Sequence, residues 1–268
     1  MVTPHDPSPD SASGNRRRSR RHTVRSLRSG SASGSDPVVR PGSGSVGRDG
    51  TLALPEVTAP ATDAALTESG LAPRGQGRVL VLACGAIARE VMALIRLNGL
   101  DHLDLACLPA ILHNTPDRIA PALRAAIAKH QPNYDRIIVG YGDCGTGGEI
   151  DRVCAETGAT RLPGAHCYAF FSGVETFDAV AEDEIAAFYL TDFLARQFDA
   201  FVTRPLGLDR HPELRDIYFG NYEKLVYLAQ TDDPKLTEAA QAAADRLGLA
   251  FERRQTGYGD LVPALQDA

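Results

Sequence analysis

The sequence predicts an α/β protein with three layers, in which helices flank a mostly parallel sheet and a helical insertion interrupts the pattern. Short, continuous apolar runs at residues 78–83 and 135–140 are typical of strands that are buried on both faces. Segments with apolar residues at helical spacing separate these runs. An alternation of strand and helix predicts parallel strands that are joined by right-handed crossovers.

The N-terminal region differs in composition, and we expect residues 1–76 to be a disordered tail and residues 77–268 to be a single α/β domain. The tail is rich in Ser, Gly, Pro and Arg, so it cannot bury enough apolar surface to offset the entropy of ordering. Residues 1–50 carry nine Arg and four Asp, and the net charge of the whole chain is −6, which leaves −11 for the remainder. This acidic balance argues against nucleic acid as the main partner of the folded domain.

The Arg-rich cluster at residues 16–21 has two interpretations, and both stay open. It binds nucleic acid or anionic lipid, or it belongs to a solvated tail or to a start placed too far upstream. No apolar segment follows the arginines as an export signal requires, and no run of about 18 apolar residues predicts a membrane span. Five cysteines, an odd number, argue against a disulfide framework. We therefore expect a cytoplasmic protein that does not enter a membrane.

The predicted elements before the insertion alternate regularly between strands and helices. They are a strand at 78–83, a helix at 86–97, a strand at 103–108, a helix at 116–129, a strand at 135–140, a helix at 148–157 and a short strand at 159–162. Beyond them, the apolar residues within 182–201 recur at helical spacing and predict a long helix. The remaining predictions are a helix near 211–222, a strand at 224–230, a helix at 234–247, an edge strand at 249–254 and a final short helix.

Three cysteines follow the ends of predicted strands and lie in loops that contain glycine, namely Cys84, Cys144 and Cys167. Because the carboxyl ends of parallel strands meet at one edge of a sheet, we expect these thiols to share a crevice. His113 and His166 follow the second and fourth strands and are expected beside them. The other two cysteines lie inside a strand and a helix, where buried and inert thiols are common; these are Cys107 and Cys154.

These residues allow three interpretations. Thiolates and imidazoles are the usual ligands of Zn²⁺, and three protein ligands with one open position are typical of a catalytic or substrate-binding zinc. Alternatively, Cys144 is a reactive nucleophile that a helix N-terminus activates, with a nearby His as base. In the third interpretation these cysteines are only small, partly buried residues, and the absence of a Cys-x-x-Cys pair leaves this possibility open.

The loop around Cys144 holds further candidates. Asp143 either orients a His, ligates the metal, acts as an acid or base, or caps the following helix. Backbone N–H groups at the start of that helix are candidates for holding an anionic cofactor or substrate group, at Gly145, Gly147 and Gly148. Neither a phosphate-binding loop with its Lys nor a dinucleotide fingerprint is present.

Arg196 is the one basic candidate. It lies four residues after Asp192 on a predicted helix, so an ion pair within the helix is one interpretation. The other is that Arg196 binds a carboxylate or phosphate of a cofactor or substrate.

Several motifs resemble domain-of-unknown-function family number 1638, and the resemblance covers about residues 77–262. They are Ala83-Cys84-Gly85-Ala86, Leu112-His113-Asn114, Tyr141-Gly142-Asp143-Cys144-Gly145-Thr146-Gly147-Gly148, Gly164-Ala165-His166-Cys167-Tyr168, Phe188-Tyr189-Leu190-Thr191-Asp192-Phe193-Leu194, Gly207-Leu208-Asp209-Arg210 and Tyr227-Leu228-Ala229-Gln230-Thr231. The resemblance implies a protein found beside corrinoid-dependent methyltransferase systems, with a role in one-carbon metabolism and a corrinoid protein or methyltransferase as partner. No Asp-x-His-x-x-Gly motif indicates direct ligation of a corrinoid.

The leading expectation is a Zn²⁺-binding protein that holds or activates a small thiol or amine. Its metal ligands would be Cys84, Cys144 and Cys167, with His113 or His166 in support. One alternative is a metal-free hydrolase of a small amide or ester, with Cys144 as nucleophile. The other is a non-enzymatic accessory protein for a methyltransferase or corrinoid protein.

Overall fold

The computed structural model describes residues 61–268, which contain seven strands in two separate parallel sheets. The strands of the first sheet are β1 (Val79–Cys84), β2 (Leu103–Leu108), β3 (Arg136–Gly140) and β4 (Thr160–Arg161), in the spatial order β2-β1-β3-β4. The second sheet consists of β5 (Ala187–Leu190), β6 (Lys224–Ala229) and β7 (Ala250–Gln255), in the order β5-β6-β7. Every pairing within the two sheets is parallel.

Ten α-helices connect and cover these strands in the described part of the chain. They are α1 (Asp63–Glu68), α2 (Ala88–Leu97), α3 (Ile119–His130), α4 (Glu149–Thr157), α5 (Cys167–Ser172), α6 (Val174–Val180), α7 (Asp192–Arg196), α8 (Leu214–Phe219), α9 (Pro234–Leu247) and α10 (Leu261–Gln266). Short 3₁₀ turns follow β1 and β2, at Gly85–Ile87 and Ala110–Asn114. None of the helices within residues 61–268 is both long and apolar enough to cross a membrane.

The sequence explains why β1 and β6 lie in the centres of their sheets. Both are nearly continuous apolar runs, and all their residues after the first are buried. A strand with neighbours on both sides, and helices on both faces, has no polar surface to present. The two sheets accordingly have separate hydrophobic clusters, one around β1 and one around β6.

The predicted α/β class is confirmed, and the parallel strands are flanked by helices. The chain forms two sheets, however, rather than the single sheet that we expected. The predicted helix at 182–201 is wrong, because Ala187–Leu190 is strand β5 and only Asp192–Arg196 within that range forms an α-helix. In so short a segment the same apolar residues fit the repeat of a helix and that of a strand, and the pairing of β5 with β6 makes this segment a strand.

The folded unit also begins earlier than predicted. Helix α1 lies within the expected tail, where Thr62 caps it and Leu66 is completely buried. Leu71 then exchanges two backbone hydrogen bonds with Cys107 of β2, at 2.8 and 2.9 Å. The limit at residue 76 is therefore too late, since this segment packs against the first sheet. The rest of the predicted tail, including the Arg-rich cluster, lies outside the described residues.

Candidate functional site

Three thiols and one imidazole line a single cavity at the carboxyl edge of the first sheet. The cavity measures about 10 Å³, which is close to the space that one water molecule or ion needs. Its wall is otherwise almost entirely apolar. The lining residues are Cys84, Ala86, Ile87, His113, Gly140, Tyr141, Gly142, Cys144, Cys167 and Phe170. The structure thus brings together the three cysteines that the strand ends predicted, together with one of the two histidines.

Cys84 ends β1 and points its sulfur toward two polar groups. Sγ accepts a hydrogen bond from the Ala86 N–H at 3.3 Å, and it lies 3.5 Å from Nδ1 of His113. Burial raises the pKa of the Cys84 thiol to about 12, although the Ala86 N–H and the nearby Tyr141 hydroxyl oppose the shift. The thiol is therefore neutral at physiological pH unless a cation enters the cavity.

His113 is held in a defined orientation by the turn that follows β2. Its Nδ1 lies 3.3 Å from the carbonyl oxygen of Ala110, and its ring stacks on Tyr141 with 6.1 Å between centroids and 8° between planes. Because a carbonyl oxygen only accepts hydrogen bonds, this contact favours the tautomer with hydrogen on Nδ1. The lone pair of Nε2 then stays available for a metal, an arrangement that is usual for metal-binding histidines.

Cys144 has an unusual backbone conformation. Its φ of 52° makes it the only residue besides glycine with a positive φ among residues 61–268. The left-handed region costs a residue with a side chain about 1–2 kcal/mol. Strain of this kind occurs preferentially at functional sites. The observation therefore singles out Cys144 among the cysteines of the described chain.

Gly142 allows the two cysteine-bearing loops to approach each other. The N–H groups of Asp143 and Cys144 donate to the carbonyl oxygens of Gly164 and Ala165, at 3.3 and 2.9 Å. A Cβ at position 142 would lie 2.9 Å from the backbone of Ala165. Only glycine fits this approach, which brings the Cys144 loop beside the segment that leads into α5.

Cys167 is the first residue of α5, and its thiol faces the cavity although part of the residue is exposed. Burial of the sulfur raises the pKa of this thiol, and the nearby thiols of Cys144 and Cys84 raise it further. This effect indicates that the sulfurs of Cys144 and Cys84 lie near the sulfur of Cys167. Deprotonating all three requires a compensating positive charge.

Asp143 folds its carboxylate into its own loop. The carboxylate accepts hydrogen bonds from the N–H groups of Gly148 and Gly147 at 2.7 and 3.2 Å, and from the hydroxyl of Thr146 at 3.1 Å. Burial would raise the pKa of Asp143, but these hydrogen bonds outweigh it and lower the pKa below 3.8. Asp143 is thus ionised at neutral pH and stabilises the loop, and its role as a ligand or as an acid or base stays a prediction.

The predicted anion cradle is occupied by this same carboxylate. Gly145, Gly147 and Gly148 all have positive φ, between 63° and 84°. Their conformation lets the chain wrap around Asp143, and the N–H groups of Gly147 and Gly148 are already engaged there. The N–H groups of Gly147 and Gly148 thus bind a carboxylate of their own loop, and an anion of a cofactor or substrate at Gly145, Gly147 and Gly148 stays a prediction.

His166 lies at the rim and does not line the cavity. The side chain is exposed, and its pKa is lowered by desolvation, which the charge of Asp143 opposes. Between residues 61 and 268, no three Cys, His, Asp or Glu side chains surround a common point at metal-binding distances. The thiols and His113 share a cavity, but their ligand atoms do not converge on one position.

Arg196 lies outside the cavity and does not pair with Asp192. Its Nε is 3.0 Å from Oδ2 of Asp63, while Nε and Nη2 are buried without a well-oriented hydrogen bond in the described structure. Asp192 instead accepts hydrogen bonds from the hydroxyl of Tyr227 at 2.7 Å, and from the N–H and hydroxyl of Thr231 at 3.0 and 2.6 Å. Asp192 therefore anchors α7 to the second sheet, and the interpretation as an intrahelical ion pair is wrong.

Two functional candidates escaped the sequence analysis. Tyr141 directly follows β3 and is only 1% exposed, and its hydroxyl lies close enough to the Cys84 thiol to lower the pKa of that thiol through a hydrogen bond. Glu90 on α2 is 4% exposed, and burial raises its pKa to about 7, although the charge of Arg196 opposes this shift. A carboxylate on the apolar face of α2, between Ile87 and Leu94, was the available signal for Glu90. The available signal for Tyr141 was its position directly after a buried strand.

Fold and site together define a helix-flanked protein of parallel sheets with a thiol-lined cavity at one sheet edge. The family described as "Protein of unknown function (DUF1638)" matches residues 107–265, and the chain belongs to this family. No curated protein matches the chain. One similar solved structure is the ornithine carbamoyltransferase from Pyrococcus furiosus, with 10% identity and a TM-score of 0.19. The match covers 66% of this chain and 54% of that chain, so this chain spans about half the length of that structure.

Proposed function

We propose that the protein binds a soft divalent metal ion, Zn²⁺, through Cys84, Cys144 and Cys167, with Nε2 of His113 as a supporting ligand. The observation that carries the proposal is the cavity of about 10 Å³ that these four side chains line. Thiolate and imidazole are the usual ligands of Zn²⁺, and a site with three thiolates keeps a position for a further ligand. Ligation at about 2.3 Å requires the sulfurs to turn toward one point as the ion enters.

The electrostatics of the cavity support a cation. Burial holds the pKa of the Cys84 thiol at about 12 and raises that of Cys167, so an empty cavity keeps both thiols protonated. A metal ion reverses this preference, because it stabilises each thiolate directly. Metal uptake would then release protons to the solvent and would be tighter at higher pH.

The strain at Cys144 supports a role for this particular thiol. Its φ of 52° would suit glycine, as at the neighbouring Gly145, Gly147 and Gly148. A cysteine here adds backbone strain, although its side chain is buried with the hydrophobic cluster of the first sheet. Ligation of the metal would account for a thiol at a position whose backbone conformation suits glycine.

The alternative function is nucleophilic catalysis by Cys144 on a small amide or ester. The positive φ favours it, because a nucleophile on a strained turn between strand and helix is a known arrangement in hydrolases. Two features weigh on the other side. Helix α4 begins only at Glu149, five residues beyond Cys144, and the half-buried imidazole of His113 faces Cys84. Rapid alkylation of Cys144 alone by iodoacetamide at neutral pH would favour this alternative.

The link to corrinoid-dependent methyl transfer, and the alternative of an accessory protein, rest on the family resemblance. Both predict that a methyltransferase or corrinoid protein co-purifies with the chain. The accessory alternative further predicts no turnover by the isolated protein.

Metal content tests the proposed function. The full chain, purified without a His tag, should hold about one Zn²⁺ per chain, and alkylating reagents should not reach its three cavity thiols until a chelator removes the metal. Replacement of Cys84, Cys144 or Cys167 by Ser should abolish binding. The matched control is Cys154→Ser, since Cys154 lies in α4 and does not line the cavity. Less than a tenth of an equivalent of metal per chain, together with cavity thiols that react freely with alkylating reagents, would contradict the proposal.

A further inference from the structure

A second and larger groove lies at the amino end of the first sheet. Its volume is about 430 Å³, and small-molecule sites usually measure about 300–1,000 Å³. Three of its residues precede β1, and the other three extend from the last residue of α3 toward β3. They are Pro73, Arg74, Gly75, His130, Asn133 and Tyr134. Strand β1 is six residues long, so it separates this groove from the thiol cavity by about 20 Å.

One buried carboxylate holds the two walls of the groove together. Asp104 of β2 is 5% exposed, and it accepts hydrogen bonds from the N–H groups of Arg74 and Gly75 at 3.0 and 2.5 Å. From the opposite wall it accepts a hydrogen bond from the hydroxyl of Tyr134, at 2.7 Å. The groove therefore has a defined shape before any ligand enters. A ligand that binds to a preformed site loses less free energy in ordering the protein.

Arg74 is the charged side chain that lines the groove. Its backbone N–H donates to Asp104, but its guanidinium is exposed and pairs with no acidic side chain among residues 61–268. Desolvation lowers the pKa of His130 and the charge of Lys129 lowers it further, so a second positive charge lies near the groove. The carboxylate of Asp104 is already engaged beneath the groove. The charge that a ligand meets is therefore positive, although the folded part of the chain is acidic.

We propose that this groove binds a small organic oxyanion, a carboxylate or a phosphate monoester, through the guanidinium of Arg74. A guanidinium presents its N–H groups as a planar fork that matches two oxygen atoms of either group. The rings of His130 and Tyr134 meet edge to face, with 6.4 Å between centroids and 66° between planes. These rings give the body of the ligand a surface for packing, and the exposed amide of Asn133 supplies a further hydrogen-bond donor.

Titration calorimetry of the full chain with phenyl phosphate, benzoate, inorganic phosphate and phenol tests the proposal. At least one of the two organic anions should bind more tightly than inorganic phosphate, and phenol should not bind, because the groove recognises both the charge and the body. Arg74→Ala should weaken binding of that anion at least about ten-fold, through loss of a charge-assisted pair. The matched control is Arg118→Ala, which should bind as the wild type does. Arg118 is also exposed, but it precedes α3, about 18 Å from His130 at the other end of this helix.

Four results would overturn the proposal. They are no binding of either organic anion, equal binding by the wild type and Arg74→Ala, an equal loss in Arg118→Ala, and binding of inorganic phosphate as tight as that of both organic anions. The third result would indicate attraction by the net charge of the chain, and the fourth would indicate contact with an ion alone. The melting temperature of Arg74→Ala should match that of the wild type, because the substitution keeps the N–H that donates to Asp104. A clear fall in the melting temperature would show that the guanidinium serves the fold, which would contradict its role in binding.

Discussion

Replacing Cys144 by glycine and by alanine isolates the backbone strain at the site. Neither variant carries a thiol, so metal binding does not enter the comparison between them. The φ of 52° costs alanine about 1–2 kcal/mol, and glycine adopts it freely. Glycine loses about 0.5–1 kcal/mol through the greater entropy of its unfolded chain. We therefore expect Cys144→Gly to be more stable than Cys144→Ala by about 1 kcal/mol, which reverses the usual order.

Urea denaturation of both variants in the presence of a chelator measures this difference. A thermal scan should show a melting temperature about 2–4 °C higher for the glycine variant, given a folded unit of this size. Cys154 supplies the control pair, because it lies inside helix α4, where alanine should be the more stable residue by about 0.5–1 kcal/mol. If alanine is as stable as glycine at position 144, the left-handed conformation is absent in solution and the argument for a strained ligand fails.

Three further variants test the loops and the buried carboxylate. Gly142→Ala places a Cβ 2.9 Å from the Ala165 backbone, so it should lower the free energy of unfolding in urea by about 1–3 kcal/mol. It should also reduce the metal content of the chain. Unchanged values of both would contradict the close approach of the loops. Asp143→Asn should cost about 1 kcal/mol at pH 7. Because the pKa of Asp143 is held below 3.8, this stabilisation is present above about pH 4 and is lost as the pH falls through the folded-state pKa. A difference in stability between the wild type and Asp143→Asn that persists in acid would contradict this role of the carboxylate. Burial raises the pKa of Glu90 from 4.5 to about 7. As the pH rises from 4.5 to 7, the wild type should therefore lose about 3 kcal/mol of stability relative to Glu90→Gln. Parallel curves of stability against pH for the two proteins would contradict this prediction.

The strand ends could be read from the sequence because each buried strand is a distinct apolar run that stops at a polar or glycine-rich loop. Cys84 directly follows such a run, and Cys144 follows the next but one. Parallel pairing then places them at one edge, and the structure confirms this. The spacing of apolar residues did not identify Ala187–Leu190 as a strand, since four residues are too few to distinguish the repeat of a strand from that of a helix.

The details of the site depended on contacts that no local pattern contains. Asp143 could serve as catalyst, ligand or cap in the sequence, and only the positions of the Gly147 and Gly148 N–H groups show that it braces its own loop. The two histidines were equivalent in the sequence. The turn that follows β2 directs His113 into the cavity, whereas His166 stays at the exposed rim.

X-ray absorption at the zinc edge of the metal-loaded chain identifies the atoms that bind the metal. We expect three sulfur neighbours at about 2.3 Å and one nitrogen or oxygen neighbour at about 2.0–2.1 Å. The Cys144→Ser variant should lose the metal, and Cys154→Ser should reproduce the wild-type spectrum. A spectrum that contains only nitrogen and oxygen neighbours would contradict the assignment of Cys84, Cys144 and Cys167 as the metal ligands.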